Sequence, residues 1–310
     1  TIMEIKHYGE IIHKIRQDRN MSLKEAAGDA ITPNNLSRFE KGLATVKVNT
    51  FFEVLNNFNL DGYDYVEIFH IQDKNSLRAR EIIHALSKND KIKARQILGK
   101  KSDWGNVIEY YILKLDIFRM ENTRDESTPD VVEAINYLVN YMFSIDTLYI
   151  RDFLIIELLL TFDGQYFELK FLEYLEKLIV KGLEETKHIS ESFSHRYTQT
   201  GTFLVRTYSR YGYYDKAEKL IYKLKIALSE IFYYEFSVFQ LFYLNIYEVF
   251  NLLRQNNPKA IERANALLHY IDAQNDLFPL PNMITIKNSF TQEVQRLNKT
   301  GIPFPMEDEE

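Results

Sequence analysis

The sequence predicts an all-α protein, and three observations predict it. Hydrophobic residues make up 45% of the 310 positions, with only 11 Gly and 7 Pro, a balance that is folded and mostly helical. Apolar residues recur at three- and four-residue spacing along the chain. Over the last two-thirds, a short Ala-centred segment returns about every 40 residues, the pattern of stacked helix pairs.

The N-terminal elements follow in order. Tyr8–Asn20 carries Ile11, Ile12 and Ile15 at helical spacing, an amphipathic first helix. Ser22–Gly42 reads as two short helices joined by a tight turn. The Ser22 hydroxyl can cap the first, and Thr32 followed by Pro33 can start the second. Gly42 is a natural stop. Asn49 is expected to cap a fourth helix over Thr50–Phe58, with Phe52, Val54 and Leu55 as core candidates, and Tyr63–Phe69 predicts a fifth. The second helix of the pair presents Asn34, Asn35, Ser37 and Arg38 beside the apolar Leu36 and Phe39. Amides and an Arg on the open face of a short helix are the groups that reading base edges requires.

Charge limits where such reading can happen. The net charge is −6, yet residues 1–60 carry eight Lys/Arg against seven Asp/Glu, which leaves −7 on the remainder. This argues against nonspecific nucleic-acid binding by the whole surface and leaves any DNA contact to a limited N-terminal surface. Cys is absent, so there is no disulfide framework, thiolate nucleophile or thiolate metal set. No apolar run is long enough to span a bilayer, so no membrane partner is expected and a cytoplasmic location is the simplest expectation. Catalysis is not expected either. The seven His are scattered, Gly99-Lys100-Lys101-Ser102 lacks the upstream glycine of a phosphate loop, and no Gly-Xaa-Ser-Xaa-Gly elbow occurs. No cofactor or metal is expected.

The N-terminal residues resemble a known family. Gly9, Ile12, Ile15-Arg16, Met21-Ser22, Ala27, Thr32, Leu36-Ser37-Arg38 and Phe39-Glu40-Lys41-Gly42 match the lambda-repressor-like (XRE) helix-turn-helix domain over about 60 residues. The wording LSRFEKG, with SLKEAAGD before it, is similar to the Rgg/MutR/RopB regulators in particular. The resemblance implies that Pro33, Asn34 and Arg38 face base edges. It puts Asn35, Lys41, Thr45 and Lys47 at usual phosphate positions, with Ser37 on the same helix. It makes Arg16 and Glu40 an internal ion pair. Leu23 departs from the pattern, because many members place a phosphate-binding Gln there.

The repeat is centred on Ala94, Ala134, Leu175, Ala217 and Ala260, with steps of 40 to 43 residues. A small residue at a regular point lets paired helices approach closely, and a two-helix period near 40 marks an α-solenoid. Turn chemistry separates the repeats near Ser87–Asp90, Thr123–Pro129, Phe162–Gly164, Tyr211–Asp215 and Gln255–Pro258, and Leu277–Pro281 ends the last. Asn282–Leu297 reads as a closing helix. Leu204, Tyr208, Gly212, Tyr214, Ala217 and Ile221 resemble a tetratricopeptide repeat, so the array is read as TPR-like, with about five helix pairs. The expected division is residues 3–69 for the DNA-binding domain, 70–76 for a linker, 77–299 for the repeat domain and 300–310 for an acidic tail.

Stacked helix pairs curve and present a concave face suited to an extended peptide. Arg151 and Arg206 stand out, each among apolar or aromatic neighbours, where a guanidinium needs an anionic partner: an acidic side chain or a peptide carboxylate. Asn140, Asn245 and Tyr208 complete the candidate peptide contacts. The resemblance implies a homodimer on two-fold, double-stranded operator DNA, controlled by a short hydrophobic signalling peptide that is secreted and re-imported. A regulator without a ligand, and a scaffold whose solenoid binds a protein, are the alternatives.

Overall fold

The computed structural model describes residues 7–60, 74–120, 128–162, 166–186, 191–230, 234–277 and 281–305. The expected fifth helix over Tyr63–Phe69, most of the 70–76 linker, part of the 123–129 turn, Asp163-Gly164 and the acidic Glu307–Glu310 end lie outside these residues. Among the described residues fifteen α-helices and one short 3-10 turn are present, and no strand occurs.

Contacts divide the chain into two compact units, Thr1–Glu121 and Asn122–Glu310. The division falls inside the expected repeat array, not at the 70–76 linker.

The first unit begins with α1 (Tyr8–Asp18), α2 (Leu23–Ala27), α3 (Pro33–Glu40) and α4 (Val48–Asn57). Ile12, Ala26, Ala27, Leu36 and Phe58 are wholly buried between them. Ser22 and Glu25 form a reciprocal capping box on α2. The Thr32 hydroxyl accepts from the Asn35 N–H at 3.3 Å, and Pro33 is the first residue of α3. Past Glu40 the chain reverses through Gly42 at φ +70°, where the Leu43 N–H reaches back to the Arg38 carbonyl. The fourth helix differs from expectation. It starts at Val48, with Lys47 at the N-cap making no side-chain capping bond, so Asn49 lies inside the first turn. Phe52 is also exposed rather than core.

Three further helices follow in the first unit: α5 (Lys74–Ser87), α6 (Lys91–Leu98) and α7 (Val107–Met120). Asp90 caps α6. Arg78 on α5 closes the other end. It donates to the carbonyls of Ile97 and Leu98 at 2.7 and 3.1 Å, and its guanidinium lies 4.8 Å over the Trp104 ring. A cation at a helix C-terminus meets free carbonyls and the negative end of the dipole.

The second unit holds α8 (Pro129–Met142), α9 (Ile150–Leu159), α10 (Leu169–Thr186), α11 (Glu191–Arg210), α12 (Tyr214–Glu230), α13 (Tyr234–Arg254), α14 (Lys259–Leu277) and α15 (Pro281–Leu297). Contacts run between sequence neighbours and also two helices along: α9 with α11, α11 with α13, α13 with α15, and α10 with α12. That is the packing of a TPR-like solenoid. Ala94, Ala134, Leu175, Ala217 and Ala260, the five repeat centres, are all 0% exposed. Gly182 allows a still closer approach, since a Cβ there would lie 2.0 Å from the Tyr197 ring. The end of the chain folds back more than expected: Ile302 and Phe304 pack on the core formed by α13, α14 and α15.

Gly9 sets how closely α1 meets α3, because a Cβ would stand 1.9 Å from the Phe39 carbonyl oxygen. The obstacle is backbone, which cannot rotate away. Gly9→Ala should therefore destabilise the helix-turn-helix by about 1–3 kcal/mol. Denaturant unfolding followed by circular dichroism reads the loss.

Candidate functional site

The DNA-facing candidate is built on α3. Its caps hold the helix ends, and Leu36 anchors its inner face at 0% exposure. Phe39 packs on the same core and meets Phe51 edge-to-face at 6.2 Å. With that side buried, Pro33, Asn34, Asn35 and Arg38 are exposed and Ser37 is half-buried. Lys41, Thr45 and Lys47 extend the exposed strip beyond the helix. The structure thus brings all eight predicted residues onto α3 and the segment after it. Leu23 is half-buried and packs on the core, which is why an apolar residue suits that position.

An ion cluster behind α3 ties it to α1. Glu40 is 6% exposed. Its carboxylate accepts from Arg16 Nε at 2.7 Å and from an Arg16 Nη at 2.8 Å, a two-point grip. His13 Nδ1 lies 2.8 Å from the same carboxylate, and Arg16 also donates to the Met21 carbonyl at 3.1 Å. Burial alone would raise the Glu40 pKa, but the Arg16 hydrogen bonds and charge, with His13, hold it below the usual carboxylate value. The expected internal pair of Arg16 and Glu40 is present.

The second unit contains a groove between α11, α13 and α15. One cavity of about 700 Å3 is lined by His195, Gln199, Thr202 and Phe203 of α11 and by Phe239, Gln240, Tyr243 and Tyr247 of α13. A second, of about 320 Å3, also touches Tyr243 and Tyr247 and continues past Arg206 and Arg210 to Arg254, Ser289 and Glu293. The shared tyrosines make the two adjoin. Their volumes bracket much of the range common for ligand sites, about 300–1,000 Å3.

The groove changes character along its length. Aromatic rings and amides line the larger cavity, and neutral amides can pair with an extended backbone. Three arginines and one carboxylate line the smaller one, an excess of two positive charges. Arg254 donates to Ser209 Oγ at 3.2 Å and lies 3.4 Å from Glu293, which Arg296 also grips at 2.6 Å. Burial brings the Arg254 pKa down to about 10, so it stays charged at neutral pH.

The predicted peptide contacts are dispersed. Arg206 lies in the groove. Arg151 at the start of α9 and Asn140 in α8 are exposed and outside the lining of both cavities. Asn245 faces a separate cleft on the other side of α13. Tyr208 is corrected: it is 0% exposed, and its hydroxyl donates to Glu176 Oε2 at 3.0 Å, with Lys223 on the other oxygen at 2.8 Å. Burial and the Glu176 charge push its pKa up, and the residue ties α11 to α10. Sequence reasoning missed Gln199, Phe203, Tyr243, Tyr247 and Arg254. A signal existed in α11, where positions 195, 199, 202, 203, 206 and 210 form one helical stripe.

No family model matches the chain. Solved structures do match. The SHP pheromone receptor Rgg2 of Streptococcus dysgalactiae superposes with a TM-score of 0.69 at 14% identity, covering 93% of this chain and 99% of that one. The fold is that of the Rgg2 receptor. PrgX, in its complex with iCF10, matches with a TM-score of 0.60 at 14% identity over 93% of this chain and 95% of its own. ComR from S. thermophilus, in complex with DNA and its signalling peptide ComS, gives 0.51 at 13% identity over 91% and 99%. At these identities the likeness is one of fold, and it extends over nearly the whole chain.

The depressed Glu40 pKa has a sign. In the unfolded chain the group titrates near about 4.3, above its folded value. Its contribution is complete above that pH and is lost as pH falls through the folded pKa. Thermal melts from pH 7 to pH 3 should therefore fall steeply at the acid end in the parent. Glu40→Gln should start lower and decline less steeply there.

Proposed function

We propose that this chain is a transcription regulator whose DNA reader, α3, is controlled by a short peptide bound in the groove of α11, α13 and α15. The observation that carries the proposal is the groove itself. It joins an aromatic, amide-lined cavity to an arginine-rich one, in a chain that also holds a capped helix with exposed Asn34 and Arg38. The likeness in fold to Rgg2, PrgX and ComR, described as a pheromone receptor, in complex with iCF10 and in complex with DNA and its peptide, supports the same reading.

In this reading Arg38 forks to guanine O6/N7 and Asn34 pairs with adenine N6/N7, each contributing about 1–3 kcal/mol of discrimination. Lys41, Thr45 and Lys47, with Asn35, hold phosphates. The protein acts as a cytoplasmic homodimer, because one small domain reads one half-site and two half-sites a helical turn apart multiply the affinity. The DNA-binding role belongs to residues 3–69, and the peptide and dimer roles to 77–299. The peptide's apolar side chains lie against Tyr243, Tyr247 and Phe203, with its carboxylate toward Arg206 and Arg254. Open cavities there weigh against a solenoid that serves only dimerisation. Peptide shifts the regulator only by its difference in affinity between the DNA-competent and incompetent states.

Two experiments test the two halves. On operator DNA, Arg38→Ala should lose discrimination at one base position. Lys47→Ala should weaken all sequences alike and reduce the salt slope by about one. Unchanged specificity in Arg38→Ala would remove it from the base contacts. For the groove, the parent should bind a synthetic peptide encoded beside the gene saturably by calorimetry. Arg206→Ala should lose at least ten-fold in that affinity and keep operator binding.

A further inference from the structure

A second cleft lies on the opposite face of α13 from the peptide groove. It has a volume of about 460 Å3 and is walled by Lys225 of α12 and by residues of α13 and α14. Of the expected peptide contacts only Asn245 lines it, and its chemistry differs from that of the groove.

One carboxylate and two cations stand together there. Glu248 on α13 is held at both oxygens, by Lys225 Nζ at 2.7 Å and by Arg263 Nη1 of α14 at 2.5 Å. A single carboxylate neutralises only one of the two, so the cleft keeps an excess positive charge. A lysine has three donors and a guanidinium five, so the two groups have the capacity to grip a second carboxylate beside Glu248. Asn245, which also lines the cleft, adds an amide N–H. Around this polar patch the walls are apolar and open to solvent. Val238 is 55% exposed, Leu241 39% and Tyr270 45%, while Phe242 and Val249 form a buried floor. Apolar side chains left in water around a net cation form a surface that an amphipathic anion would cover.

We propose that this cleft binds an amphipathic monocarboxylate, with its carboxylate on Lys225, Arg263 and Asn245 and its apolar part against Leu241, Val249 and Tyr270. Glu248 is the positioning residue that keeps the two cations side by side. The excess charge disfavours a cationic ligand, and the apolar walls disfavour a small hydrophilic anion. The site is separate from the peptide groove, because it uses the other face of α13.

Calorimetry on the full chain with decanoate, decanol and acetate tests the proposal. Decanoate should bind saturably, with decanol and acetate at least ten-fold weaker. The double variant Lys225→Met, Arg263→Met should weaken decanoate at least ten-fold. Ala266→Trp, which fills the cleft from an exposed position on α14, should block it with no change in thermal unfolding. Arg206→Ala, in the peptide groove, should bind decanoate like the parent even if no peptide ever binds. The proposal is overturned by any of these results: no saturable binding by the parent, equal binding by decanol or acetate, equal binding by the Lys225→Met, Arg263→Met double variant, equal binding by Ala266→Trp, or loss of binding in Arg206→Ala. A parent dimer that dissociates in Ala266→Trp, with no decanoate binding, would instead make the cleft a contact between copies.

Discussion

The close approach of helices at small buried positions is the constraint from which the second unit follows. Ala134, Ala217 and Ala260 are wholly buried near the starts of α8, α12 and α14, and Gly182 lets the Tyr197 ring sit where a Cβ would be. A larger residue at these points would push neighbouring helices apart and open voids that a close-packed interior does not tolerate. Because the approach recurs at near-constant spacing, the helices stack in register. Every second one then contributes to a single row, α9, α11, α13 and α15. The groove is a consequence of that row, since adjacent members present parallel stripes.

The helix α11 shows how one element can serve packing and a site together. Its inner face carries Tyr197, Leu204, Val205 and Tyr208, all buried. Its hydroxyl-bearing residues would be costly in such surroundings if left unpaired. Thr198, Thr202 and Thr207 avoid that cost by donating to carbonyls four residues back, at 2.9, 2.8 and 3.1 Å. Gly201 permits tight packing on both neighbours, since a Cβ there would meet Leu224 of α12 at 2.9 Å and Ile179 of α10 at 3.4 Å. The remaining face, from His195 to Arg210, is left to line the groove.

In the helix-turn-helix a buried ion cluster has the corresponding role. Removing either Arg16 or Glu40 would strand a charge behind α3, so the pair holds α1 and α3 in one register. That rigidity allows the outer face of α3 after Pro33 to be polar, because its position does not depend on burying that face. The chain's excess negative charge lies elsewhere: residues 1–60 carry a net +1 and the remainder −7.

Periodicity determines which residues form helices, and short-range chemistry determines where they start and stop. Ser22, Thr32, Pro33 and Gly42 act within a turn of their own positions, so the edges of α2 and α3 were legible in the sequence. The repeat centres were legible too, because a buried apolar centre every 40 to 43 positions, Ala at four of the five and Leu175 at the other, leaves a pattern in one dimension. The fourth helix was less legible. It starts without a side-chain cap, so Asn49 gave a false start signal. Faces of long helices were harder still. Tyr208 and Arg206 are two residues apart on α11, yet one is sealed against Glu176 and the other reaches the groove. Asn245 and Tyr247 on α13 diverge in the same way, into separate cavities. In the sequence each is a polar or aromatic residue on an apolar helix. Which neighbouring helix covers it depends on contacts with other helices far along the chain, and only the stacking of the helices decides that.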